Sequence, residues 1–165
     1  MIKKFQIKNT AEMKKFGGRV AGEVSAEPLG KQAKVISLTG ELGVGKTTFT
    51  QGFLKALGVK RRVISPTFLI IRPYKLKVNN SQRMIRGGVE VSSGRKQYVN
   101  AYHIDCYRLH KPQELLALGL KEILNNHENI VLVEWPQLIE KYLPKKTRRV
   151  TIEHSKKGTC RVVRY

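Results

Sequence analysis

Eight consecutive residues do most to limit what this chain can become: Gly40-Glu41-Leu42-Gly43-Val44-Gly45-Lys46-Thr47. A glycine, four residues, then Gly-Lys-Thr is the spacing of a phosphate-binding P-loop. Successive backbone N–H groups must turn inward toward an anion, and glycine lets the chain curl that tightly without a Cβ clash. Lys46 can then reach the terminal phosphates and the Thr47 hydroxyl can ligate Mg²⁺. The flanks agree with this reading. Val35-Ile36-Ser37-Leu38 is a short β-type apolar run, and Lys46 to Leu57 places Phe49, Phe53, Leu54 and Leu57 on one side of a helix closed by Gly58. A strand, a loop and a helix N-terminus facing the phosphates follow in the order that nucleotide binding needs.

With 165 residues and 41% hydrophobic content, the chain is expected to form a single globular domain over 1–165. No apolar run approaches the roughly 18 residues of a membrane span, and the start is not signal-like, so a cytoplasmic, non-membrane protein is expected. Cys106 and Cys160 lack metal-ligand spacing and are expected to be reduced. The formal charge is +20, from 32 Lys plus Arg against 12 Asp plus Glu. Residues 60–96 hold ten basic residues and one acid, and residues 141–165 hold nine and one. Residues 97–140 instead hold six acids and three basic residues. Both basic segments are candidates for contact with a polyanion such as tRNA; a solvated surface is the alternative.

Further along, Asn9 or Thr10 can cap a helix reaching about Val24, in which Gly17-Gly18 implies close packing against a neighbour. Ser65-Pro66-Thr67 sets two hydroxyls around a stiff proline, aimed either at phosphate or at nothing more than a strand entry. Phe68 to Tyr74 reads as a partly buried strand, and Tyr98 to Ile104 as its antiparallel return. Between them, residues 75–97 read as a basic hairpin or mobile insertion. In His103-Ile104-Asp105-Cys106-Tyr107, Asp105 can hold Mg²⁺ if it faces the P-loop, though a His-x-Asp pair also serves structural ends. Pro112 opens a helix that Gly119 interrupts. Ile130 to Val133 is a buried central strand closed by Glu134, the position of an acid beside Mg²⁺ and the attacking water; an N-cap or ion pair is the alternative for it. Arg148 to Glu153 and Thr159 to Arg164 read as a closing hairpin.

Four motifs therefore stand in order: Gly-Glu-Leu-Gly-Val-Gly-Lys-Thr-Thr, Ser-Pro-Thr-Phe, His-Ile-Asp-Cys-Tyr-Arg-Leu and Val-Glu-Trp-Pro. Together, over roughly residues 9–144, they resemble the TsaE (YjeE-like) family, small bacterial P-loop ATPases of tRNA threonylcarbamoyladenosine synthesis. The resemblance implies an α/β, P-loop NTPase-like three-layer sandwich with a mixed central sheet. It also implies ATP and Mg²⁺ as cofactors and TsaD and TsaB as partners, with ATP hydrolysis resetting that assembly. Carried over by position, Gly43, Gly45, Lys46, Thr47 and Thr48 match the phosphate loop, and Glu41, Leu42 and Val44 beside them are expected to line the nucleotide as well. Asp105 takes the acidic position for magnesium and hydrolysis, Glu134 the acid before the tryptophan, and Trp135 that aromatic. Thr10 corresponds to a threonine near the nucleotide base.

The expected site thus has Lys46, Asp105 and Glu134 as catalytic groups and Thr47, Asp105 and Glu134 around the metal. Ser65 and Thr67 are expected to lie near the γ-phosphate. Glu41 stands where the family commonly has aspartate, and the 75–97 stretch is longer and more basic than usual. Two other readings fit parts of the same pattern: a small-molecule P-loop kinase, and a non-enzymatic basic RNA-binding module.

Overall fold

The computed structural model describes residues 2–76, 98–155 and 158–165, and between them the backbone of two short strands, 83–86 and 89–92. The elements in order are β1 (Lys4–Ile7), α1 (Thr10–Ala26), β2 (Lys34–Thr39), α2 (Lys46–Ala56), β3 (Ile71–Lys75), β4 (Arg83–Arg86), β5 (Val89–Ser92), β6 (Asn100–Asp105), α3 (Pro112–Ala117), α4 (Leu120–Asn125), β7 (Asn129–Glu134), a 3₁₀ helix (Pro136–Tyr142), β8 (Arg148–His154) and β9 (Arg161–Arg164). Seven strands form one sheet in the order β1-β9-β8-β2-β7-β6-β3, while β4 and β5 pair antiparallel as a separate ribbon.

The central pairings β8–β2, β2–β7 and β7–β6 are parallel, and the outer pairings β1–β9, β9–β8 and β6–β3 are antiparallel, so the sheet is mixed. Side-chain alternation produces the layers. On β2 and β7, Ile36, Leu38, Ile130 and Leu132 pack with Phe16, Val20, Phe49 and Phe53 of α1 and α2. Their neighbours Val35, Val131 and Val133 pack oppositely with Leu115 of α3, Leu120 and Leu124 of α4, and Ile139. All six residues of β7 are buried, as both faces require. The result is a three-layer α/β sandwich.

Asn9 caps α1, its side chain accepting from Glu12 N at 2.9 Å. The Gly17 expectation holds: a Cβ there would collide with the Phe49 carbonyl, and one at Gly52 with the Lys14 carbonyl. The two helices therefore touch backbone to backbone. Gly119, at φ 84°, separates α3 from α4.

Local differences from the expected elements have identifiable causes. The strand read from Phe68 begins only at Ile71, because the Pro66 carbonyl accepts from both Leu69 N and Ile70 N and closes a turn. Ile70 takes φ 62° there, and Phe68 and Leu69 end up exposed rather than partly buried. Strand β1 was not anticipated. Its four residues alternate polar and apolar, Lys4-Phe5-Gln6-Ile7, a strand pattern that the sequence reading passed over, and they pair with β9. Of the 75–97 stretch, only the β4–β5 backbone belongs to the described residues beyond Leu76. Among the described residues, no helix is long and apolar enough to cross a membrane.

Candidate nucleotide site

The loop between β2 and α2 begins at Gly40, φ 141°, where a Cβ would collide with the Ile152 carbonyl of β8. Val44 is fully buried and pins the loop to the core, leaving Glu41, Leu42 and Gly43 exposed at its tip. Gly45, φ 115°, is the N-cap of α2 and offers no side chain to the helix. The leading N–H groups of Lys46, Thr47 and Thr48 are thus not capped by a side chain at the positive end of the helix dipole, the arrangement that binds anions.

Lys46 is only 4% exposed. Its Nζ donates to the carbonyls of Gly40 and Glu41, each at 2.8 Å, and lies 3.8 Å from the centroid of the Trp135 ring. Burial pushes its pKa below the ordinary lysine value, against the opposing pull of Glu134 and Asp105. The lysine is therefore a dehydrated cation facing two carboxylates.

Sheet register brings those carboxylates together. β6 and β7 run parallel with Asp105 opposite Glu134, and β2 runs on the other side of β7 with Leu38 opposite Glu134. Both acids stand at the C-terminal ends of their strands, the edge at which parallel α/β sheets bind ligands. Glu134, 2% exposed, accepts from Thr47 Oγ1 at 3.1 Å and Thr50 Oγ1 at 3.5 Å. His103 Nε2 lies 2.7 Å from Glu134 Oε1. Asp105, 4% exposed, accepts from Ser65 Oγ at 2.7 Å, Thr67 Oγ1 at 2.6 Å and Tyr107 N at 3.0 Å. Each carboxylate thus has its own retinue: Glu134 is tied to the phosphate helix, Asp105 to the Ser65-Pro66-Thr67 segment.

Trp135 sits in the left-handed region at φ 57°, which is unusual for a bulky residue and of the kind found at functional sites. This conformation turns the chain out of β7 into the 3₁₀ helix and lays the indole beside Lys46, with Tyr107 at 5.0 Å between ring centroids. Among the described residues no side-chain hydrogen bond ties Thr10 to the loop. It opens α1 one turn before Met13, whose terminal methyl would be 3.4 Å from a Cβ on Gly45.

Three contributors exceed the sequence reading. Thr50 lies one helical turn after Thr47, on the same face, a spacing legible in the sequence. Tyr107 closes onto Asp105 through its backbone N–H, from the turn that follows the end of β6 at Asp105. His103 is fully buried against Glu134, with no partner for its Nδ1 among the described residues.

The oxygen donors Thr47, Glu134 and Asp105 fit Mg²⁺, which takes one or two carboxylates and fills its remaining positions from water and substrate phosphates. Among the described residues no group of three or more His, Cys, Asp or Glu gathers to make an all-protein metal cage.

A glycine loop joining a central parallel strand to a helix, with a buried lysine and an acid closing the adjacent strand, defines a P-loop protein. This one belongs to the TsaE family: the family described as threonylcarbamoyl adenosine biosynthesis protein TsaE matches residues 7–163. The tRNA threonylcarbamoyladenosine biosynthesis protein TsaE of Bacillus subtilis is 38% identical over 125 residues, covering 76% of this chain and 65% of that protein, just under two thirds of its length. The protein of the same name from Haemophilus influenzae is 32% identical over 142 residues, covering 86% of this chain and 76% of the other. The crystal structure of Bacillus subtilis YdiB superposes with a TM-score of 0.67 at 28% identity, covering 99% of this chain and 84% of that one.

Proposed function

We propose that this protein is a Mg²⁺-dependent ATPase that acts in the cytoplasm with TsaD and TsaB in forming threonylcarbamoyladenosine in tRNA, its hydrolysis resetting that assembly. The observation that carries this reading is the adjacency of two buried carboxylates to the phosphate loop, with Glu134 hydrogen-bonded directly to Thr47. The α2 N-terminus and the loop amides bind the phosphates of ATP, and Lys46 neutralises charge on the transferred group. Thr47, Glu134 and Asp105 would hold Mg²⁺, which when bound supplies charge neutralisation on the phosphates. One of these two carboxylates also orients water for in-line attack, and Ser65 and Thr67 hold Asp105 in place. The Trp135 ring and the burial of Lys46 exclude bulk water and strengthen each charge interaction.

Partner dependence is supported by the rim. Leu42, Phe68, Leu69 and Tyr107 are 70%, 83%, 60% and 48% exposed around the site, an apolar border that suits a protein contact. The test is release of inorganic phosphate from ATP and Mg²⁺, with and without TsaD and TsaB. Weak release alone and stimulation by the pair are expected. A phosphorylated small molecule in place of free phosphate points to a kinase, and absence of release under both conditions overturns the reading.

A further inference from the structure

The two basic segments differ once their partners are known. In the C-terminal segment, Arg148 pairs with Glu27 and Glu23, Arg149 with Glu140 and Arg164 with Glu153. Three of that segment's nine basic residues are thus paired where they stand. The other segment has no such supply: the sequence holds no Asp or Glu between Glu41 and Glu90. Lys55, Lys60, Arg61 and Arg62 are all exposed, and among the described residues none of them pairs with a carboxylate.

The fold gathers these cations. Val59 N bonds back to the Leu54 carbonyl, and Gln51 Nε2 donates to the Val63 carbonyl at 3.1 Å, so residues 59–63 fold back along the last turns of α2. Across the glycine contact, the Lys14 backbone abuts Gly52, which brings exposed Lys14 and Lys15 of α1 to the same helix pair. Arg61 also lies 5.8 Å from the Tyr74 ring centroid, continuing the basic surface toward β3. Six exposed cations on two packed helices and the loop that follows thus share one region that has no paired acid among the described residues.

We propose that this surface, formed by Lys14, Lys15, Lys55, Lys60, Arg61 and Arg62, binds the phosphate backbone of RNA, and of tRNA in particular. Unpaired lysines and arginines at a fixed surface release counterions when they meet phosphates, and that release drives sequence-independent binding. The choice of tRNA rests on the pathway reading above, but the surface itself rests only on charge and geometry. An acidic protein is the competing occupant.

The experiment is titration of the full chain with an unmodified tRNA transcript over a range of salt, without ATP. The set Lys60→Ala, Arg61→Ala and Arg62→Ala is compared with wild type, and Lys14→Ala with Lys15→Ala gives an independent variant on the other helix. The triple variant is expected to lose at least about tenfold in affinity at low salt and to lower the slope of log K against log salt by about 2 to 3, the share of three phosphate contacts. The double Arg149→Ala, Arg164→Ala is expected to stay within about threefold of wild type, because its charges are already paired. Three results overturn the proposal: no tRNA binding up to about 100 µM at low salt, unchanged affinity and slope in both loss variants, or equal loss in the paired-arginine control. Retained tRNA affinity with lost stimulation by TsaD and TsaB assigns the surface to a protein instead. Phosphate release is measured separately on each variant, so a failure of hydrolysis and a failure of RNA binding are read apart.

Discussion

The phosphate loop and the carboxylate edge are built by opposite strategies. The loop is contiguous: residues 40–48 carry its glycines, lysine and threonines, with distant contacts at Gly40 and Val44 seating it on the core. The edge is assembled from afar. Asp105 and Glu134 are brought together by β6–β7 register, and their hydroxyl partners come from α2 and from the 65–67 turn. A local device tolerates change elsewhere in the molecule, whereas a register-built one is only as exact as the sheet behind it.

The largest effect that tests this contrast is loss of the loop lysine. Lys46→Ala should abolish measurable turnover, since no other described cation has its Nζ position between the loop carbonyls and Trp135. Retained phosphate release would show that the edge works without the loop. Next come the carboxylates. Glu134→Ala and Asp105→Ala should each lower turnover at least about tenfold, equivalent to about 1.4 kcal/mol in barrier. The two should then part company: a magnesium titration should shift more for Glu134→Gln than for Asp105→Asn, because Glu134 and not Asp105 bonds Thr47. Identical magnesium dependence in both variants would erase the division of retinues described above.

A smaller effect, on stability, comes from Gly17→Ala. Its methyl has no room against the Phe49 carbonyl, so α1 must move away from α2 at a cost of about 1 to 3 kcal/mol in a chemical denaturation measurement. The smallest is a pH slope. Burial holds the folded-state pKa of Lys46 below its ordinary value of 10.5, so the unfolded chain binds the proton more readily between the two values. Stability contributed through this group therefore rises as pH climbs through that window toward 10.5. The melting temperature of wild type should gain on that of Lys46→Met as alkalinity increases; a constant difference would show that the lysine is not desolvated.

The contrast also explains what could be read without coordinates. The loop, α1 with its Asn9 cap, the close glycine contact and the buried β7 all depend on local pattern, and each was legible. The turn at Phe68–Ile70 was not, because three successive apolar residues look like strand while the deciding event is acceptance of two N–H groups by the Pro66 carbonyl. Strand β1 was signalled by the alternation of Lys4-Phe5-Gln6-Ile7, but its partner, at the other end of the chain, was not. At the site, the residue types were visible, but which hydroxyl serves which carboxylate was not. That pairing arises from strands and helices whose relative placement only the folded sheet fixes. The near-equivalence of the two basic segments was misleading for the same reason: a count of charges does not record that Glu23, Glu27, Glu140 and Glu153 are spent on one of them.

The glycine crossing of α1 and α2 has a mechanical consequence. Ordinary helix pairs meet through side chains, which can rotate and absorb a displacement. Here, at the crossing itself, Gly17 lies against the Phe49 carbonyl and Gly52 against the Lys14 carbonyl, while side chains such as Phe16 and Phe49 meet beside it. At that crossing a displacement of one helix is met by backbone rather than by a side chain that can rotate. Helix α1 carries Lys14 and Lys15, and the helix beside it begins with Lys46 and Thr47. A shift of α1 at Lys14 therefore meets the backbone of α2 at Gly52, in the same helix that begins at Lys46.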